Sequence, residues 1–331
     1  MIAPSTTSST KRNDTLDGLK YVAAAMIVLH HVAGAQLGSI AGRFIYYSAV
    51  TSLFFFFAVS GYLHGAVGSR GGAWRLKRLY RIGVPYAFWS VVYLAWGQRD
   101  LLLNGGPPFL PNLGLVFFFA GAHGILWFLP VLLACALLSD VFVIGARSRR
   151  IGIALCVVVT LALYWSGAAE AIPAAWQNFV LASRYLLVYL GGMEIRAMGP
   201  LPSLSRGLLG TLAGVTIIAV GIIGGVSSRL PVPLALTLET TLWSVCVISV
   251  LLGAASGMRW FGSAHLAWGR EYLIGVYLSH VIWLATFVTL VPPASMRPVL
   301  WIPLAWVFCF AGASATTWVL LSIPLSRPVV V

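Results

Sequence analysis

The sequence predicts an all-α, polytopic integral membrane protein, with about ten transmembrane helices in one bundle and both termini in the cytoplasm. Of its 331 residues, 60% are apolar and only 9% are charged, whereas a soluble domain carries about 25% charged residues. The mean hydropathy is +0.92. Most of the chain lies in apolar runs of about 20 residues, the length that a membrane-spanning helix requires. A β-barrel would instead show alternating segments of about ten residues.

Ten apolar runs account for the predicted bundle, which forms one domain over residues 16–325 between short cytoplasmic tails, 1–15 and 326–331. No short apolar core with a cleavage site follows the first tail, so the first run is interpreted as a membrane helix. Segments that contain Gly, Pro or charged residues separate the runs. The stretch 99–123 contains an apolar piece, 109–121, that is too short to span and is expected to re-enter the membrane or lie at its surface, although an eleventh span stays open. The predicted helices cover 17–37, 45–66, 82–98, 124–145, 150–168, 178–197, 206–226, 233–255, 271–290 and 299–322.

The net charge of +13 reflects basic residues at helix ends, which predict the orientation of the protein in the membrane rather than a nucleic-acid partner. No basic face is interleaved with aromatic residues, as nucleic-acid binding would require. With the N-terminus in the cytoplasm, fifteen Lys and Arg residues flank the cytoplasmic side and four flank the outer side. This bias follows the positive-inside rule. The outer four are Arg43, Arg99, Arg229 and Arg297. We expect a multi-pass protein of the cytoplasmic (inner) membrane, in contact with lipid headgroups.

The first predicted helix carries the most informative residues, Asp17, Lys20, His30 and His31. An ionisable residue in a spanning helix costs about 2.5–3.5 kcal/mol on insertion, so it usually marks function. Lys20 and His31 are eleven residues apart, which places them on one stripe of a helix, about 16 Å apart along its axis. His30 points about 100° away from this stripe. Asp17 lies within i,i+3 reach of Lys20, where it orients the lysine or caps the helix.

Five short motifs, in order along nearly the whole chain, resemble those of the membrane acyltransferase-3 family. The first is Leu-Asp-Gly-Leu-Lys at 16–20, followed by ten residues and His31. The family mostly has Arg where this chain has Lys20, which keeps the charge but loses the planar fork. The others are a Phe-rich helix with Ser-Gly-Tyr-Leu (55–63), Arg-x-x-Arg before Pro and an aromatic (78–86), His with Leu-Trp-Phe-Leu (123–129), and Tyr-x-x-x-x-Tyr-Leu-x-His (272–280).

The resemblance implies transfer of an acyl group, usually acetyl, from acyl-CoA to a carbohydrate hydroxyl on the far side of the membrane. Acyl transfer to a hydroxyl needs a base, and histidine suits this role, so His31 is the catalytic candidate. CoA is polyanionic, and Lys20, Arg78 and Arg81 are the candidates for binding its phosphates. The remaining motif residues are expected to support the site: Asp17, Ser60, Tyr62, His123, Trp127 and His280.

The expected partners are the lipid bilayer, acyl-CoA, a carbohydrate or glycolipid acceptor, and glycan-assembly proteins. No metal is expected, since the four cysteines are isolated in apolar runs without ligand spacing. Simpler interpretations stay open for several residues: snorkelling for Lys20, membrane anchoring for the arginines, and helix packing for 60–62. Two rival functions also stay open, a transporter or exporter of a small metabolite or glycan precursor, and a scaffolding subunit of a polysaccharide synthase.

Overall fold

The computed structural model describes residues 14–65, 72–97, 124–142, 145–168, 178–199, 206–226, 230–255 and 272–329. Within these ranges every regular element is a helix, as the composition predicts. The stretch 109–121 and His123 lie outside the described residues.

The helices follow one another with short connections wherever the chain is described. Short 3-10 helices precede α5 (Gly124–Trp127), link α10 to α11 (Pro293–Ser295) and follow α11 (Pro324–Val329). The α-helices are α1 (Asp14–Gly34), α2 (Ile40–Ala49), α3 (Thr51–Gly65), α4 (Gly72–Gly97), α5 (Phe128–Phe142), α6 (Ala146–Trp165), α7 (Ala182–Met198), α8 (Arg206–Val226), α9 (Val232–Ala255), α10 (Leu273–Leu290) and α11 (Pro298–Ser322).

Each of the ten predicted ranges overlaps a helix in the described part of the chain, where six helical segments are long and apolar enough to cross a membrane. Two apolar helices fall below that length, Gly124–Asp140 and Leu208–Gly224. The chain is therefore a helical, multi-pass membrane protein. Among the described residues, the six segments are Thr15–Gly34, Ile40–Gly65, Ala146–Trp165, Val232–Ala254, Leu273–Leu290 and Pro298–Ser322.

Several helix boundaries differ from the prediction by three or four residues, and two differ by more. The second predicted helix begins at Ile40 and consists of α2 and α3, because the Ser39 hydroxyl caps the earlier start by accepting from the Gly42 amide at 2.9 Å. The third begins at Gly72 rather than 82. Arg, Lys and Leu are good helix formers, so the basic segment before the apolar run is helical as well. Residues 75–81 consequently project from α4 at fixed helical spacing.

Helices α3 and α7 pack closely against each other in the described bundle and meet at two glycines. A Cβ built on Gly61 would overlap the carbonyl oxygen of Tyr189, and one built on Gly192 would overlap that of Ala58. Small residues at a crossing let two membrane helices approach until their backbones touch. The phenylalanines that precede this crossing on α3, residues 54–57, are all buried. The pair forms the centre of the main core and fixes the side chains beyond it.

A second core joins α1 to α10 and α11. Val28, Val276 and Trp301 belong to one buried cluster there. The Trp306 indole donates a hydrogen bond to the Ala25 carbonyl at 2.8 Å, which ties α11 to α1. This packing brings the last turns of α1 against α10, from the opposite end of the chain.

Candidate active site

His31 lies in the last turn of α1 and faces other imidazoles. Its ring centroid is 5.0 Å from that of His30 and 5.0 Å from that of His280. His280 has no exposed surface, so the half-buried His31 ring packs toward the interior of the bundle on this side. The structure therefore joins two predicted site residues whose helices are far apart in the sequence.

Both neighbours of His31 are held by backbone carbonyl groups. Nδ1 of His280 lies 2.6 Å from the Tyr277 carbonyl oxygen, and Nδ1 of His30 lies 3.0 Å from that of Tyr46. A carbonyl oxygen only accepts, so Nδ1 carries the hydrogen in each ring. In the neutral rings Nε2 is then the basic nitrogen. The His30 ring also stacks on Tyr46 of α2, with centroids 4.0 Å apart. Its contacts are therefore those of a residue that packs α1 against α2.

Trp127 belongs to an aromatic cluster that extends to His280. The Tyr277 hydroxyl donates to the Ile125 carbonyl, which holds α10 against the 3-10 helix that carries Trp127. Aromatic pairs at these separations add to the burial of their rings. Successive ring centroids are 5.1 Å apart for Trp127–Tyr185, 4.7 Å for Tyr185–Phe57, 5.1 Å for Phe57–Phe128, 5.1 Å for Phe128–Tyr277 and 6.0 Å for Tyr277–His280.

Asp17 and Lys20 form the ion pair that their spacing predicts. The Lys20 ammonium donates to Oδ1 of Asp17 at 2.8 Å, and both side chains are largely buried. The carboxylate thereby orients the lysine at the opposite end of α1 from His31.

The two predicted donor-binding arginines occupy different surroundings. Arg78 is half-buried, its guanidinium lies 5.5 Å from the centre of the Trp74 ring, and its charge acts on the nearby Tyr189 hydroxyl. Arg81 is exposed on α4. Arg78 is therefore packed into the protein, whereas Arg81 lies exposed on its surface.

Tyr62 and Ser60 flank the glycine of the α3–α7 crossing. The Tyr62 hydroxyl accepts from the Arg196 guanidinium at 3.1 Å, and that guanidinium lies 5.2 Å from the ring centre. Ser60 is half-buried beside Gly61. The motif at 60–62 thus serves helix packing through Gly61 and anchors an arginine of α7 through Tyr62.

A family model described as an acyltransferase domain, that of the membrane acyltransferase-3 family, matches residues 13–323. The chain belongs to this family. The resemblance that the five motifs indicated is therefore confirmed. Among curated proteins and among solved structures, no match was found.

The acyltransferase also contains an ionisable cluster that the motifs did not reveal. His64, at the end of α3, is buried between Trp74 of α4, Tyr189 of α7 and Asp140 of α5. His64 is an ionisable residue inside an apolar helix, so the rule that singles out His31 also applies to it. Asp140 follows an apolar run and could be recognised in the same way, whereas only the fold brings the two together.

An apolar cavity of about 170 Å³ lies on another side of α1 of the acyltransferase. Its lining includes Val22 and Met26 of α1, Thr51 of α3 and Val247 of α9. The four α1 residues that line it, Leu19, Val22, Ala23 and Met26, form a stripe turned by about 120° from that of Lys20 and His31. The cavity therefore borders the packing face of α1 rather than the imidazole cluster.

Proposed function

We propose that this acyltransferase moves an acetyl or similar short acyl group from cytoplasmic acyl-CoA to a hydroxyl of a cell-surface or exported glycan, across the cytoplasmic membrane. His31 acts as the general base. It takes the hydroxyl proton as the oxygen attacks the thioester carbon. The carbon–sulfur bond breaks, and the departing thiolate of CoA takes up that proton, which returns His31 to its neutral form.

The imidazole cluster is the observation that carries the assignment of the base. A general base must keep one orientation through the reaction, and His31 packs against the fully buried, carbonyl-anchored ring of His280. His280 is therefore a positioning residue. His30, the adjacent candidate, stacks on Tyr46 and its Nδ1 bonds to a carbonyl of α2.

The cationic side chains support a donor site at the other end of α1. Lys20 is held by Asp17 about 16 Å from His31 along the helix axis. Arg78 lies on α4, with its guanidinium held over the Trp74 ring. Fixed guanidinium and ammonium groups suit the phosphates of CoA. With both termini in the cytoplasm, this end faces the compartment that supplies acyl-CoA, and the acyl group crosses within the protein.

The test is acyl transfer by the purified full chain, with labelled acetyl-CoA and a series of glycan acceptors. His31→Ala should reduce transfer by about 100-fold to 10,000-fold, the contribution of a positioned general base. His30→Ala is the matched control, since it removes a neighbouring imidazole with packing contacts, and its effect should be milder. Equal losses in the two variants would contradict the assignment of His31.

Lys20→Met should raise the KM for acetyl-CoA more than it lowers kcat, because it removes a cation of the donor site. Release of CoA should depend on the acceptor. If the wild type transfers no acyl group to any acceptor but gives protein-dependent solute flux, the chain is a transporter and the proposal fails. If His31→Ala leaves glycan acylation in cells unchanged, the chain acts as a scaffold instead.

A further inference from the structure

The buried imidazole of His64 is the centre of a polar network of side-chain contacts to which no function has been assigned. Its Nε2 lies 3.3 Å from Oδ1 of Asp140, and the two side chains are only 1% and 7% exposed. Oδ2 of the same carboxylate accepts from Nε of Arg75 at 2.7 Å. Asp140 therefore bridges a buried imidazole and an arginine that is 58% exposed.

The second nitrogen of His64 extends the network to α7. Nδ1 lies 2.9 Å from the Tyr189 hydroxyl. The tautomer of the ring sets the direction of this hydrogen bond, so either atom can be the donor. Arg78 lies close enough to the Tyr189 hydroxyl to interact with it electrostatically. His64 is thus in contact with both Tyr189 and Asp140, and Asp140 accepts a hydrogen bond from Arg75.

Trp74 provides a second connection between His64 and Arg78. The Trp74 ring stacks on His64, with centroids 4.5 Å apart and an interplanar angle of 27°. The Arg78 guanidinium lies over the same indole, 5.5 Å from its centre. A cation over an aromatic face gains both electrostatic and packing energy. By contrast, Lys77 and Arg81, from the same basic segment, are exposed.

A nucleophilic role for the network is disfavoured by Ser139. Its hydroxyl lies 3.1 Å from Nδ1 of His64, so serine, histidine and aspartate stand in the order of a catalytic triad. However, Ser139 is fully buried inside α5 and donates to the Ala136 carbonyl at 2.9 Å. Amide groups inside a helix are used in its own hydrogen bonds and cannot stabilise an oxyanion.

Burying a carboxylate and an imidazole is costly unless both are bonded, and apolar side chains would pack the same space at lower cost. A network of this kind is therefore better explained by what it orients than by stability alone. The network draws its side chains from four helices. The groups that it orients are two guanidinium groups on one turn of α4.

We propose that His64 and Asp140 are positioning residues of an anion site, which hold Arg75 and Arg78 in a fixed relative orientation for the phosphate groups of the acyl donor. The identity of that anion rests on the proposed function. Two preoriented guanidinium groups bind phosphate oxygens in a defined geometry, whereas flexible cations supply charge alone.

Asp140→Asn separates positioning from charge, because the two effects have opposite signs. The substitution removes one negative charge beside Arg75, so charge alone predicts tighter anion binding. Loss of positioning predicts weaker binding. The matched control is Glu194→Gln, which likewise removes an arginine-paired carboxylate, in this case one bonded to Arg149 and Arg150.

The experiment measures binding of labelled CoA to the purified full chain, and kcat and KM for acetyl-CoA. For Asp140→Asn we expect about tenfold weaker CoA binding and a raised KM with kcat nearly unchanged, the size seen when an outer partner of a ligating residue is removed. Asp140→Glu should partly restore binding. Glu194→Gln should bind CoA as well as the wild type or more tightly.

Unchanged or tighter CoA binding by Asp140→Asn would overturn the positioning role, and so would loss of transfer in Ser139→Ala. A wild-type chain that binds no CoA would overturn it as well. If the wild type binds CoA and Asp140→Asn binds it more weakly, but no acyl transfer occurs, the anion site stands and the proposed function fails.

Discussion

Replacement of Gly192 by alanine tests the helix crossing on which the donor end depends. A Cβ at Gly192 would overlap the Ala58 carbonyl oxygen and lie 2.9 Å from the Tyr62 amide nitrogen. Both are backbone atoms and cannot rotate away, so α3 and α7 would have to separate by about 1 Å. We expect a steric loss of about 3 kcal/mol, of which about 1 kcal/mol is returned by the helix propensity of alanine. The net loss is about 2 kcal/mol, or roughly 30-fold in the unfolding equilibrium.

The neighbouring Gly191→Ala is the control, because a Cβ there meets nothing within 4 Å. It should leave the free energy of unfolding unchanged or raise it by up to about 1 kcal/mol. Unfolding of both variants can be followed in detergent titrations by tryptophan fluorescence, since the chain has 13 tryptophans. The separated helices would also stretch the 2.9 Å contact of His64 with Tyr189, so Gly192→Ala should weaken CoA binding. Equal stability of the two variants would refute the close-approach argument.

Two further predictions concern the packing of the bundle. Trp306→Phe removes the indole hydrogen bond to the Ala25 carbonyl and should lower the free energy of unfolding by about 1 kcal/mol. An unchanged unfolding midpoint would show that this bond does not hold α1 to α11. The thiols of the four buried cysteines should react with a membrane-permeant maleimide at least about 100-fold more slowly in the folded protein than after denaturation, and rapid labelling would contradict their burial. They are Cys135, Cys156, Cys246 and Cys309.

Local sequence patterns were sufficient to predict the helices, because the bilayer imposes a length and an apolar composition on every spanning segment. They were less successful at boundaries. Residues before 82 form helix although they are basic, since charge does not end a helix that leaves the apolar layer. The i,i+3 pair of Asp17 and Lys20 could be predicted for the same local reason.

The partners of the site residues could not be predicted in this way. His31 meets His280, and His64 meets Asp140 and Tyr189, across helices that are distant in the sequence. The pairing depends on which helices are neighbours and on their rotation about their axes, and a hydropathy pattern without a polar face fixes neither.

By itself the sequence determined the family, the helical membrane architecture, and the stripe of α1 that carries Lys20 and His31, because these follow from composition, motif order and helical periodicity. Only the tertiary structure decided which imidazoles meet, and which arginine of α4 is anchored and which is exposed. The physical reason is that close contacts such as the Gly61–Gly192 crossing set the spacing and rotation of whole helices. Those two quantities determine every contact between side chains of different helices.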